Sequence, residues 1–172
     1  REMTPKAPSV SRGKRRSSAR LAAVQALYQL VVSGGGAEAV VGEFSQYRLG
    51  NEIDGALLVE AEPELFGNLV LGVTQNQAEI DQRLAKVFHE DLSFNRLEVL
   101  LQAILRAGAY EILMRSDIDP PLTISEYVDV ANSFFVNRES TMVNRVLDRL
   151  AHESQSDYMG VLPYDANGET ER

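Results

Sequence analysis

Seven of the 17 lysines and arginines lie in the first twenty residues: Arg1, Lys6, Arg12, Lys14, Arg15, Arg16 and Arg20, opposed there only by Glu2. That segment carries a net +6, the rest of the chain −14 and the whole −8. Arg15, Arg16 and Arg20 fall in the first turns of a predicted helix, where cations oppose the macrodipole, so helix stability is not what they serve. Phosphates gain from guanidinium forks together with the free backbone N–H groups of a helix start. Arg16 and Arg20, four apart, are expected to project side by side. The plain alternative is a solvated tail that aids solubility. The sequence shows no recognition helix for duplex DNA. Single strands need only a charged track and stacking side chains, which favours RNA.

Nothing else assembles into a reactive constellation. His89, in HEDL, and His152 each lack a second ligand at metal spacing, and HEDL lacks the second histidine of a zincin helix. Glu90–Asp91 and Asp117/Asp119 are carboxylates in turns, where capping and solvation account for them. No serine sits in a G-x-S-x-G elbow. Gly34–Gly35–Gly36 has neither a preceding strand nor a following Lys-Ser/Thr pair, so it is a linker and not a phosphate loop. Zero cysteines exclude a disulfide scaffold and thiolate chemistry. No catalytic residue, metal or cofactor is expected, and no apolar run approaches the ~20 residues of a membrane span.

The elements that position the cations are all helical by period. The most apolar is Asn95–Arg115, NRLEVLLQAILRAGAYEILMR, with Leu97, Leu100, Leu101, Ile104, Leu105, Gly108 and Ile112 on one wide face. Glu98, Gln102 and Arg106 form a narrow polar strip on it. Glu111 falls inside the apolar face and is predicted to be a structural buried acid, paired with Arg115 or with backbone N–H groups of a neighbouring helix start.

Residues 1–14 are expected to form a disordered basic arm. Ser17 or Ser18 then caps a helix to Ser33, with Leu21, Val24, Tyr28 and Val31 on the inward face and Ala23, Leu27 and Leu30 widening it. A short helix follows over 37–48, then a loop-rich connection over 50–60. A longer helix runs from Pro63 to about Phe88, its FGNLVLG glycines serving close packing. Thr123 and Glu126 form a capping box for a helix ending near Phe134/Phe135. After a break at 137–139 a last helix buries Val143, Val146, Leu147 and Leu150. Residues 153–172 are expected to be an acidic flexible tail. The chain is predicted to be all-α, with about seven helices.

The blocks ARLAAVQALYQL (19–30), ILRAGAYEIL (104–113), the Thr123–Phe134 helix and VNRVLDRLA (143–151), in that order, resemble the transcription antitermination factor NusB family from about Arg15 to Ala151. The resemblance implies two three-helix bundles around the central apolar helix, with 15–152 as the RNA-binding domain. It implies a cytoplasmic bacterial protein that binds the boxA element of ribosomal RNA leaders together with ribosomal protein NusE. The complex would load onto the RNA polymerase elongation complex, with other Nus factors, for read-through of terminators. Homodimerisation is compatible with this.

Position by position, the arginine-rich start matches Arg15, Arg16 and Arg20, supported by Lys14 and Arg12, since Ser17 and Ser18 stand where the family has arginines. Tyr28 matches a family tyrosine, for stacking or for the core. Asn144 matches a polar RNA contact; Met142 replaces an aromatic and Arg145 a glycine, with Arg138 adding charge beside them. Two alternatives remain. One is the NusB-like domain of a ribosomal RNA cytosine methyltransferase, which needs a Rossmann-type domain that this sequence does not show. The other is a protein-interaction domain without RNA binding.

Overall fold

The computed structural model describes residues 10–47, 52–53, 56–57, 61–88 and 93–161. Seven α-helices carry the described fold: α1 (Arg12–Ser33), α2 (Ala37–Tyr47), α3 (Pro63–Gln75), α4 (Gln77–Val87), α5 (Val99–Met114), α6 (Pro120–Phe134) and α7 (Glu139–Val161). The expected all-α class holds. In the 50–60 connection the described residues form an antiparallel pair, β1 (Glu52–Ile53) and β2 (Ala56–Leu57), in register Glu52 to Leu57 and Ile53 to Ala56. His89 and the Glu90–Asp91 pair lie outside the described residues.

Helices α1, α2 and α3 pack together as one bundle, while α5, α6 and α7 form the second with α4 against α5 and α7. Helix α5 also touches α1 and α3, so the predicted central helix is the shared wall. Ala103, Ile104, Leu105, Ala107, Gly108 and Ala109 of α5 are all buried. Small residues set the approach distances. A Cβ on Gly72 would fall inside the Tyr110 ring, and one on Gly108 would come within 2.6 Å of Leu147 Cδ1. Gly72 thus serves close packing as expected, whereas Gly67 has only Val41 at 4.0 Å.

Several boundaries move for identifiable reasons. Ser11, not Ser17 or Ser18, caps α1: its Oγ accepts from the Lys14 backbone N–H at 3.3 Å, so the basic segment from Arg12 is helical and not part of an arm. Gly34 closes the helix at φ 65, a left-handed conformation that glycine adopts without penalty, with its N–H donating to the Leu30 carbonyl. The expected 63–88 helix is two helices, because Asn76 interrupts it and its Nδ2 donates to the Gly72 carbonyl at 2.8 Å. Helix α5 starts at Val99 after a 3-10 turn, Phe94–Arg96, and Gln102 Nε2 donates to the carbonyls of Phe94 in that turn and of Leu97 just after it.

Thr123 is no cap. Asp119 takes that position, followed by Pro120 and Pro121, whose fixed φ suits a first turn; Thr123 is buried one turn in. At the other end, α7 continues to Val161 and carries 153–161 as helix where a flexible tail was expected. The inward face of α1 is also rotated from expectation. Ala19, Arg20, Ala23, Val24, Ala26 and Leu27 are buried, whereas Tyr28 and Val31 are exposed.

Candidate nucleic-acid interface

Because α1 begins at Arg12, its cations are distributed around a helix and not along a free chain. At about 100° per residue, Arg12, Arg15 and Arg16 lie towards one side and Lys14 is roughly opposite Arg12. Arg12 and Lys14 are exposed, while Arg15 and Arg16 are half-buried. A phosphate chain that meets all four must therefore wrap the helix start.

Arg12 and Arg16 line a cleft of about 450 Å³ with Glu62 and Glu64 at the start of α3 and with Arg115 and Asp117 after α5. Arg16 Nη1 is 3.6 Å from Glu62 Oε2. Arg115 spends its donors on Asn68 Oδ1 at 2.7 Å and on both Asp117 oxygens at 2.9 and 2.8 Å. That fork holds the Asp117 carboxyl down at about 2, against the small opposing effect of desolvation. Three arginines against three carboxylates leave this cleft near neutrality. The cationic surface beyond the cleft is the outer part of α1, Lys14 and the exposed portion of Arg15, with the exposed Arg12 at the cleft's edge.

Arg20 corrects the expectation of a phosphate ligand. Its side chain is 2% exposed and forks onto Glu111, Nε to Oε2 at 3.0 Å and Nη2 to Oε1 at 2.8 Å. Its Nη1 lies 3.8 Å from Glu126 Oε2, and that same oxygen accepts from Ser17 Oγ at 2.8 Å. Glu111 of α5 is 0% exposed, and its partner is Arg20, neither Arg115 nor a helix start. Burial alone would lower the Arg20 pKa; the Glu111 hydrogen bonds and charge outweigh it, and the net shift is upward. Tyr127, wholly buried beside this pair, is pushed well above the usual phenol range by burial and then by the Glu111 charge. Its hydroxyl makes no hydrogen bond of regular geometry. Ser17 is absorbed into the same network through its hydrogen bond to Glu126.

The second group lies at the start of α7. Val143, Val146, Leu147 and Leu150 face the core as expected. This turns Arg138, Met142 and Arg145, at i, i+4 and i+7, onto one outer flank. Arg138 and Arg145 are exposed and Met142 is half-buried against the core. Asn144 is exposed too, but about 100° round from Arg145, on the other flank. Tyr28, on α1, is 40% exposed and stands with the exposed Val31 and Val32. Phe134 is 37% exposed at the end of α6, while its neighbour Phe135 packs against the core. Periodicity could not find this, since the residue sits where the helix stops.

Fold and site define the class: a two-bundle, all-helical protein that presents cationic helix starts on an acidic body. Among the described residues no group of histidines or carboxylates is arranged to hold a metal ion. The NusB family model matches residues 17–152. The transcription antitermination protein NusB of Agrobacterium fabrum is 43% identical over 153 residues, covering 89% of this chain and 93% of that protein. That of Brucella anthropi is 43% identical over 160 residues, covering 93% and 94%. The chain belongs to the NusB family. Among solved structures, T. maritima NusB superposes with a TM-score of 0.67 at 26% identity, covering 84% of this chain and 96% of that one. NusB in complex with NusE and dsRNA gives 0.66 at 23% identity, covering 81% and 98%, and shows the same fold.

Proposed function

We propose that this protein is an antitermination factor that binds single-stranded boxA RNA of ribosomal RNA leaders together with ribosomal protein NusE. In that complex it helps RNA polymerase read through terminators in the cytoplasm, acting by binding and not by catalysis. The observation that carries the reading is two groups of at least partly exposed cations, Arg12, Lys14 and Arg15 in the first turn of α1 and Arg138 and Arg145 just before and within the first two turns of α7, on a chain that is otherwise strongly acidic. Cations at helix starts work against the helix dipole and gain when phosphate is present. Asn144 adds an amide for a base or a phosphate, Met142 an apolar contact, and Tyr28 an exposed ring. Arg16 contributes less because it leans on Glu62. The acidic remainder complements a basic ribosomal protein and speeds encounter with it. The names of the relatives support the antitermination part of this reading, and the complex of one family member with NusE and dsRNA supports its NusE and RNA parts.

The test is a salt titration of binding to a boxA-type single-stranded RNA, with and without NusE. Wild type is compared with Arg12→Ala/Lys14→Ala/Arg15→Ala and with Arg138→Ala/Arg145→Ala. Each lost phosphate contact should flatten the log K versus log salt slope by roughly 0.7. Arg20 is left out of these variants because its loss would act on folding. A wild type that binds NusE but no RNA under either condition would replace this reading with a protein-interaction domain.

A further inference from the structure

Helix α6 ends at Phe134 and α7 begins at Glu139, so residues 135–138 make the corner. Phe135 is extended, at φ −124 and ψ 146. Side chains alternate across extended backbone, so while Phe135 packs against the core, Phe134 and Val136 both face out. Val136 is 98% exposed. Val136, almost fully exposed, contributes little to folding, and more than a third of the Phe134 surface is left open to solvent.

The corner is the head of a cationic flank. Arg138, Met142, Arg145 and Arg149 follow at i, i+4, i+7 and i+11, within about 60° of one another around α7 and along roughly 16 Å of its axis. Arg149 is 44% exposed and its Nε lies 3.8 Å from Glu153 Oε1, a surface pair that a phosphate can replace. A basic protein would meet like charge along this flank. A polyanion with flat apolar faces would meet arginines and a ring together, which is the chemistry of single-stranded nucleic acid.

We infer that Phe134 and Val136 form the base-stacking head of a single-stranded RNA track that runs down one flank of α7 through Arg138, Arg145 and Arg149. This rests on the RNA-binding reading above and adds Phe134, Val136 and Arg149 to it.

The chain has no tryptophan, so Phe134→Trp in the full-length protein installs a single reporter. Its emission should be quenched on addition of boxA-type single-stranded RNA and should become shielded from iodide. Phe134→Leu should weaken RNA binding roughly fivefold or more, the loss expected for one base–aromatic stack, while thermal stability and NusE binding stay unchanged. Arg149→Gln should flatten the salt slope by about 0.7. If wild type binds RNA but Phe134→Leu binds it equally and the introduced indole is unaffected, the corner lies off the track and the inference falls with the RNA reading intact. Variants that weaken NusE binding and spare RNA would make the corner a protein-docking site and overturn the inference. A wild type that binds no RNA, with or without NusE, would take both down.

Discussion

Arg20 and Glu111 stand 91 residues apart in sequence and meet as a two-pronged ion pair sealed between α1, α5 and α6. The pair joins the helix that carries the basic start to the central helix of the second bundle. Both charges are desolvated, so the attraction between them has to offset a large hydration loss, and it does so only while both partners remain.

Removing either partner alone, as Arg20→Met or Glu111→Gln, should lower unfolding free energy by about 3–5 kcal/mol. In a chain of this size that corresponds to a melting-temperature drop of roughly 6–20 °C. Arg20→Met/Glu111→Met should recover most of the loss, because no uncompensated buried charge is left. Urea denaturation of the three variants checks this. Singles that match wild type would show the pair to be structurally idle.

Gly72 gives Tyr110 its place. Adding a methyl group at Gly72 drives it into a buried aromatic ring. Gly72→Ala should therefore destabilise by about 1–3 kcal/mol through overpacking, although alanine is the better helix former. In a Tyr110→Leu background the same substitution should be close to neutral, which appears in a double-mutant cycle as a coupling of about 0.5–3 kcal/mol. Equal effects in both backgrounds would place the strain elsewhere.

Asp117 titrates at about 2 because the Arg115 fork favours its charged form. A depressed folded value means that its contribution to stability is complete above the unfolded value of about 3.9 and is lost as pH falls towards 2. The side chain is 62% exposed, so solvent screens the effect on overall stability. The sharper readout is the carboxyl resonance itself. Its NMR midpoint should lie near 2 in wild type and return to about 3.9 in Arg115→Gln. A midpoint that ignores the arginine would exclude the fork as its cause.

Much of this molecule is determined by the sequence on its own. The helical period of Leu101, Ile104, Leu105 and Gly108 made α5 the centre, and Val143, Val146, Leu147 and Leu150 oriented α7, because burial of a stripe is a local property of spacing. The Pro120–Pro121 opening of α6 is equally local, as is the Gly34 end of α1. A carboxylate at Glu111 amid apolar neighbours announced that a buried partner must exist.

Which partner it was only the tertiary structure decided. Arg20 is one of a run of cations that look alike in sequence, and its reach to Glu111 depends on how α1 crosses α5. That crossing is set by contacts between distant residues, and it removes Arg20 from the surface. The same packing rotates Tyr28 outward and draws Ser17 to Glu126. The outward turn of Phe134 has a different source: α6 ends there and the extended Phe135 takes the inward place. Spacing along a chain fixes which residues share a face of a helix; the direction that face points is set by the helices around it.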